Sequence, residues 1–306
     1  MNDFGLLIQE IKAGLPELKL SENEPMRAHC SFKIGGNASV MALPSSVEET
    51  EKLCGFLRQK GVKPLIIGNG TNLLVTDEPL RRFVIKMSDG MSAIDPRGET
   101  GVYALCGVSL AKLAVYCAHA SLSGLEFAHG IPGTLGGAAS MNAGAYGGEM
   151  KQVLLSVTYL DGNIKICEKT GGELQMSYRH SAFSDSDAVI LGCELFLDKG
   201  DEAGILEKMR VLSEKRRASQ PLDKPSAGST FKRPEKGYAA ALIEEAGLKG
   251  FSIGDAQVSE KHAGFVINRG KASFDDVRRL MEYIRETVYK NSGIELEPEV
   301  KIIDNI

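Results

Sequence analysis

The sequence predicts an α+β fold, on three observations. Strand-like segments outnumber helical ones in the middle of the chain, and amphipathic helical periodicity dominates both ends. Between the middle and the C-terminal part lies ASQPLDKPSAGST, residues 218–230, whose Pro and Ser content reads as a linker between domains. At 306 residues the chain exceeds the usual single-domain size, so two or three domains of about 100–150 residues each are expected.

Taken in order, Phe4, Leu7, Ile8, Ile11 and Leu15 recur at helical spacing and predict an N-terminal amphipathic helix. SFKIGGNASVMALP reads as a strand pair turning at Gly35-Gly36. Glu48 to Lys60 is helical, and Pro64 to Ile67 is a buried strand ending at GNGTN, residues 68–72. The segments LLV and FVIKM add strands, as does YALCGVS, which leads into a helix from Leu110 to Ser121. VLLSVTYLDGNIKIC predicts a hairpin turning on Asp161-Gly162, and AVILGCELFL one more strand. Residues 201–217 form a charged helix.

Beyond the linker come a helix over 237–246, strands near 251–258 and 263–268, and a helix from Phe274 to Lys290. Phe274, Val277, Leu280, Met281, Ile284 and Val288 stripe that last helix, and Ser273 with Asp276 resembles a capping box. IELEPEVKII closes the chain as a strand, with Glu295, Glu297 and Glu299 on one face.

A hydrophobic content of 43% with 25% charged residues belongs to an ordinary folded domain and excludes disorder. The net charge of −4 argues against nucleic acid as the main partner, because phosphate contacts need a basic surface. No segment approaches the roughly 20 apolar residues of a membrane span, and MNDFGLLIQEIKAGL lacks a basic start and an unbroken apolar run, so a cytoplasmic protein is expected. Six scattered cysteines without a CxxC spacing read as reduced, mostly buried thiols. His29, His119, His129, His180 and His262 show no ligand spacing, and no metal site is expected.

The most telling stretch is residues 127–148, FAHGIPGTLGGAASMNAGAYGG, with seven glycines and no Asp, Glu, Lys or Arg. Such a segment lets the main chain approach a ligand closely, and an anion there must be held by main-chain N–H groups. GNGTN follows a strand, as a phosphate-binding turn does. It departs from the Rossmann fingerprint at Leu73, where the third glycine belongs. The two uncharged turns together can cradle one diphosphate, with Asn72 and Asn142 adding side-chain donors. The alternative for Gly136-Gly137 is close packing of a helix on a sheet.

Arg179, in a loop without acidic neighbours until Asp185, is either exposed or aimed at an anionic ligand. Ser229 reads by itself as a turn or cap residue, and no GxSxG elbow surrounds it. The three glutamates form either a solvated face or the lining of a cleft.

In their order, GNGTN, GIPGTLGGAASMNAGAYGGE, SYRHSAF, PSAGSTFKRP, QVSEKHAGFVIN and ELEPEV resemble the UDP-N-acetylenolpyruvoylglucosamine reductase family of peptidoglycan synthesis, from about residue 25 to 304. The resemblance implies a vanillyl-alcohol-oxidase or PCMH-type FAD-binding fold of two subdomains, plus a C-terminal α+β substrate-binding domain. Carried onto this chain, it implies a first subdomain of residues 1–88 with 300–306, a second of 89–217, and a substrate domain of 218–299. Only ten residues separate Arg179 from Ile190, so the chain resembles the form without the extra tyrosine-bearing loop. One departure stands before the first flavin segment: His29-Cys30 occupies the place where the family shows Asn-Thr or Asp-Thr.

The family's chemistry implies FAD as cofactor and NADPH as reductant, with hydride passing from flavin N5 to an enolpyruvyl ether. By resemblance, FAD contacts are Gly68, Asn69, Gly70, Thr71, Asn72, Gly130, Ile131, Pro132, Gly133, Gly136, Gly137, Asn142, Ala143 and Gly144. Arg179 matches the residue that stabilises the developing enediolate, Ser229 the proton donor, and Glu299 a second acid at the carboxylate end. Tyr178, Lys224, Lys232 and Arg233, beside matched motifs, are expected to contact the uridine diphosphate. The implied partners are the UDP-sugar and NADPH, without nucleic acid or membrane insertion, for a monomer or weak oligomer. Another flavin oxidase of the superfamily, with covalently tethered flavin, and a non-catalytic flavin binder are the competing readings.

Overall fold

The computed structural model describes residues 4–305, and seven α-helices occur among them. They are α1 (Gly5–Gly14), α2 (Val47–Gln59), α3 (Leu110–His119), α4 (Leu135–Ser140), α5 (Glu202–Ser219), α6 (Ala239–Glu245) and α7 (Phe274–Ser292). Residues 1–3 and Ile306, which the N-terminal reading and the expected first subdomain include, lie outside the described residues. The chain divides into two compact units. Unit one comprises residues 1–22, 40–69 and 83–215, and unit two comprises 23–39, 70–82 and 216–306.

Unit one is built around a five-stranded antiparallel sheet. Its order is Ile166–Thr170, Leu154–Leu160, Val189–Phe196, Gly101–Leu105 and Ile94–Arg97. The central strand Val189–Phe196 is buried for most of its length, which explains its nearly unbroken apolar sequence. Helix α4 packs on that strand. Helix α1 buries Leu7, Ile8 and Ile11, as its spacing predicts, and α2 begins at Ser46, whose hydroxyl accepts from Glu49 N. One hydrophobic cluster runs from Phe4 through Leu113 and Leu135 to Met209.

Leu65–Ile67 pairs in parallel with Leu80–Lys86 at the end of a four-stranded sheet that also contains Asn37–Leu43 and Lys19–Pro25. The expected strand pair within SFKIGGNASVMALP is therefore corrected. Only Asn37–Leu43 is a strand, and Gly36 is held on both sides by Gly36 N to Thr76 O at 2.7 Å and Met26 N to Gly36 O at 2.9 Å. The hairpin around Asp161 is real, but its loop is longer than the predicted two-residue turn. Asp161 Oδ1 accepts from the amides of Asn163 (2.7 Å) and Lys165 (2.9 Å), which stabilises the wider loop.

Unit two has its own core, from Phe32, Ile34 and Leu74 to Ala256, Leu280, Ile284 and Val300. Helix α7 packs against the small sheet of Ser252–Ile253, Ala256–Val258 and Val266–Asn268. Its N-terminus carries the expected capping box: Ser273 Oγ accepts from Asp276 N and Asp276 Oδ2 from Ser273 N, each at 3.0 Å. Lys301–Ile303 lies parallel to Leu73–Val75, in register Lys301 to Leu73. The end of the chain thus returns to the strand that follows GNGTN.

Candidate active site

In unit one the two glycine turns are brought together. A Cβ on Gly68 would stand 2.3 Å from Thr134 Oγ1, so glycine lets the first turn close on the second without displacing that hydroxyl. Thr134 is buried and caps α4, its hydroxyl accepting from Gly137 N at 3.4 Å. Gly136 N is spent on Cys106 O at 2.8 Å, and Leu135 N on Val108 O at 2.9 Å, so this part of the glycine stretch does serve close packing on the sheet. In unit two, Gly70 has φ +60, and a Cβ there would come within 2.1 Å of His29 O, so the tight turn requires glycine.

The donors left over define what the turns can hold. Among the described residues, the amides of Gly68, Asn69, Gly70, Thr71 and Asn72 donate to no protein acceptor, nor do those of Gly130 and Thr134. Uncharged main-chain donors of this kind suit a diphosphate, the central group of FAD.

Downstream of the stretch, Asn142 is 1% exposed, and its side chain is fully engaged. Nδ2 donates to Ser177 O at 2.9 Å and to Glu149 Oε2 at 3.0 Å, while Oδ1 accepts from Lys151 N at 2.9 Å. Ser177 opens a tight turn closed by Ser177 N to His180 O (3.0 Å) and His180 N to Ser177 O (3.1 Å). Arg179 is the third residue of that turn, at φ +54, a conformation costing a non-glycine residue on the order of 1 kcal/mol. Its side chain is half-buried between exposed neighbours, Nη2 reaching Gly144 O at 3.4 Å and the guanidinium lying 5.2 Å from the ring centre of Tyr178. Among the described residues no helix or strand intervenes between Arg179 and strand Val189–Phe196.

Glu126, at the entrance to the stretch, is 3% exposed yet ionised. Burial by itself would raise its pKa. The Ser123 hydroxyl (2.7 Å), its own amide, Lys208 (3.4 Å) and Gly124 N (3.1 Å) together hold it below the ordinary value. The buried thiols behave in the opposite way: desolvation pushes Cys54, Cys106 and Cys117 up to about 12, which leaves them unreactive.

In unit two, the other candidates sit on a main-chain framework. Thr230 is buried, its N donating to Gly264 O (2.8 Å) and its Oγ1 accepting from Val266 N (3.0 Å). Glu299 N donates to Thr230 O at 2.9 Å, and Asn72 Nδ2 donates to Glu299 O at 2.9 Å. Ser229, next to Thr230, is half-buried, and its hydroxyl bonds no protein group among the described residues. It remains available to a ligand.

The expected strand face of three glutamates is corrected. Regular strand begins only at Lys301, and the segment before it is fastened by an isolated bridge between Phe231 and Pro298. The three carboxylates separate accordingly. Glu295 pairs with Arg285 at 3.0 Å, Glu297 pairs with Lys232, and Glu299 alone is half-buried. Of the expected nucleotide contacts in this unit, Arg233 stacks on Tyr238 at 4.3 Å and Lys224 is exposed.

Sequence reasoning missed the latches that hold these segments. Ser181 Oγ and Ser184 Oγ both donate to Ser140 O at 2.7 Å, and Asn268 Nδ2 donates to Phe32 O at 3.0 Å. Each joins residues far apart in sequence, and no local pattern announces them.

Such a fold and site define an FAD-dependent oxidoreductase. Residues 38–168 match the model of an FAD binding domain, and residues 220–303 match that of the C-terminal domain of UDP-N-acetylenolpyruvoylglucosamine reductase. A protein of that name from Caldanaerobacter subterraneus subsp. tengcongensis is 48% identical over 97% of this chain and 98% of its own length. One from Syntrophomonas wolfei is 43% identical over 97% of this chain and 99% of its own. The crystal structure of the Thermus caldophilus reductase superposes with a TM-score of 0.79 at 30% identity, covering 94% of this chain and 99% of that one. An alkyldihydroxyacetonephosphate synthase structure, at 17% identity, TM-score 0.50 and cover of 65% of this chain and 41% of that one, shares the flavin-binding fold alone. The chain belongs to the UDP-N-acetylenolpyruvoylglucosamine reductase family.

Proposed function

We propose that this chain reduces UDP-N-acetylglucosamine enolpyruvate to UDP-N-acetylmuramate with NADPH as reductant, in the synthesis of peptidoglycan precursors. The observation that carries the reading is Arg179, a half-buried cation held at φ +54 at the edge of an uncharged glycine cradle. The main-chain amides of Gly68, Asn69, Gly70 and Thr71, with those of Gly130 and Thr134, would hold the diphosphate of FAD. FAD bound there would supply the hydride, with NADPH as its source.

Hydride addition to the terminal methylene of an enolpyruvyl ether leaves negative charge on the carbon beside the carboxylate. Arg179 suits that charge, because a planar guanidinium binds a carboxylate through two hydrogen bonds and stays ionised. Ser229 then donates a proton to the strongly basic enediolate carbon. A hydroxyl with no protein acceptor is suited to that step. Glu299 acts at the carboxylate end in its protonated form, since a bare anion there would oppose the developing charge. Tyr178, Lys224, Lys232 and Arg233 serve the uridine diphosphate. We take the reaction to run in the cytoplasm, where nucleotide sugars and NADPH are found. We take the enzyme to act as a monomer or weak oligomer.

The test is NADPH oxidation in the presence of UDP-N-acetylglucosamine enolpyruvate, comparing wild type with Ser229→Ala. Turnover by wild type, and its near-loss in a folded, flavin-loaded variant, is the expected result. An inactive wild type, or an unaffected variant, contradicts the reading.

A further inference from the structure

We infer that Asn72 and Asn142, which the sequence presents as donors to the cofactor, are positioning residues that fix the main chain beneath Glu299 and Arg179. The inference rests on the proposed roles of those two residues. A primary amide has two hydrogens to give, and Asn142 spends both on protein: one on Ser177 O at 2.9 Å, the other on Glu149 Oε2 at 3.0 Å. No hydrogen is left for a phosphate oxygen. Its carbonyl is turned to Lys151 N at 2.9 Å, so the side chain sits in the middle of protein contacts, 1% exposed, with φ +46.

What Asn142 grips is the start of the turn that carries Arg179. From the other end of the turn, Ser181 and Ser184 donate to Ser140 O, each at 2.7 Å. The turn is therefore tied on both sides to the segment 140–142, which over-determines the unfavourable backbone of Arg179. In unit two the same device recurs. Asn72 Nδ2 donates to Glu299 O at 2.9 Å, and Asn72 O accepts from Lys301 N at 3.0 Å, so Glu299 is bracketed by one asparagine through its own carbonyl and the next strand. Each of the two uncharged loops thus sends an asparagine side chain to the carbonyl of a segment bearing a reacting group.

A cofactor ligand and a positioning residue leave different kinetic signatures. The isosteric changes Asn142→Asp and Asn72→Asp remove the donor without changing shape, and the two half-reactions can be followed apart by rapid mixing. Flavin content and the rate of flavin reduction by NADPH are expected to match wild type, while reoxidation by UDP-N-acetylglucosamine enolpyruvate slows roughly 10- to 100-fold, the cost of misplacing a reacting group by about 1 Å. Should Asn142→Asp fail to fold, Ser181→Ala with Ser184→Ala loosens the same turn from its other side, and the same split is expected. Loss of flavin, or a fall in reduction that parallels the fall in reoxidation, overturns the inference and makes these asparagines cofactor ligands. A wild-type enzyme that NADPH reduces but the enolpyruvyl substrate does not reoxidise instead overturns the proposed function.

Discussion

The segments bearing Arg179 and Glu299 are held by different means. Arg179 sits in a strained turn tied down by side chains, those of Asn142, Ser181 and Ser184. Glu299 sits in extended chain tied down mostly by main-chain bonds, to Thr230 O at 2.9 Å and through Lys301 N to Asn72 O at 3.0 Å. Main-chain bonding depends little on the identity of the side chains that flank it. The arginine turn is therefore the part of the site most exposed to point substitution, and the glutamate segment the more tolerant.

The largest effect should come from Arg179 itself. Arg179→Ala is expected to lower turnover by about 3–4 kcal/mol in barrier, by analogy with loss of an oxyanion donor, with flavin binding intact, as steady-state kinetics and flavin absorbance would show. Next come two glycines that set a soft contact against a hard one. Gly70→Ala places a methyl 2.1 Å from the carbonyl oxygen of His29, which cannot rotate away, and should cost about 3 kcal/mol or more in urea unfolding. Gly68→Ala meets the hydroxyl end of Thr134, which can turn aside. It should cost about 1–3 kcal/mol, with weakened flavin retention as the clearer sign. Equal losses would remove the contrast between side-chain and main-chain fastening.

Glu126 offers a pH test within unit one. Its folded-state pKa is depressed, so its stabilisation is fully present above the ordinary value of 4.5 and is lost as pH falls below 4.5 through the folded value. Glu126→Gln should cost about 1–3 kcal/mol at neutral pH and flatten the acid limb of a stability–pH profile. At the small end, Glu297→Ala breaks an exposed pair with Lys232 in unit two and should change stability by less than about 1 kcal/mol.

Much of this was legible in the sequence, for reasons that can be named. The helical stripe of Phe274 to Val288 and its capping box are local patterns, and local patterns survive into the structure. The glycine stretch was legible because uncharged, glycine-rich chain has few other uses. The roles of its residues were less so. That Asn142 spends its amide on Ser177 depends on a contact between positions 35 apart, which no spacing rule reveals. The glutamate segment misled for a related reason: alternation suggested a strand, yet Glu295 and Glu297 each find a cation, Arg285 or Lys232, and only Glu299 is drawn inward.

The most direct test is the product itself. Incubating the purified, flavin-loaded enzyme with NADPH and UDP-N-acetylglucosamine enolpyruvate should yield a nucleotide sugar heavier by the elements of H₂, formed in step with the NADPH consumed. Arg179→Ala should form it far more slowly under the same conditions. Oxidation of NADPH without that product, or equal product from the variant, would contradict the account.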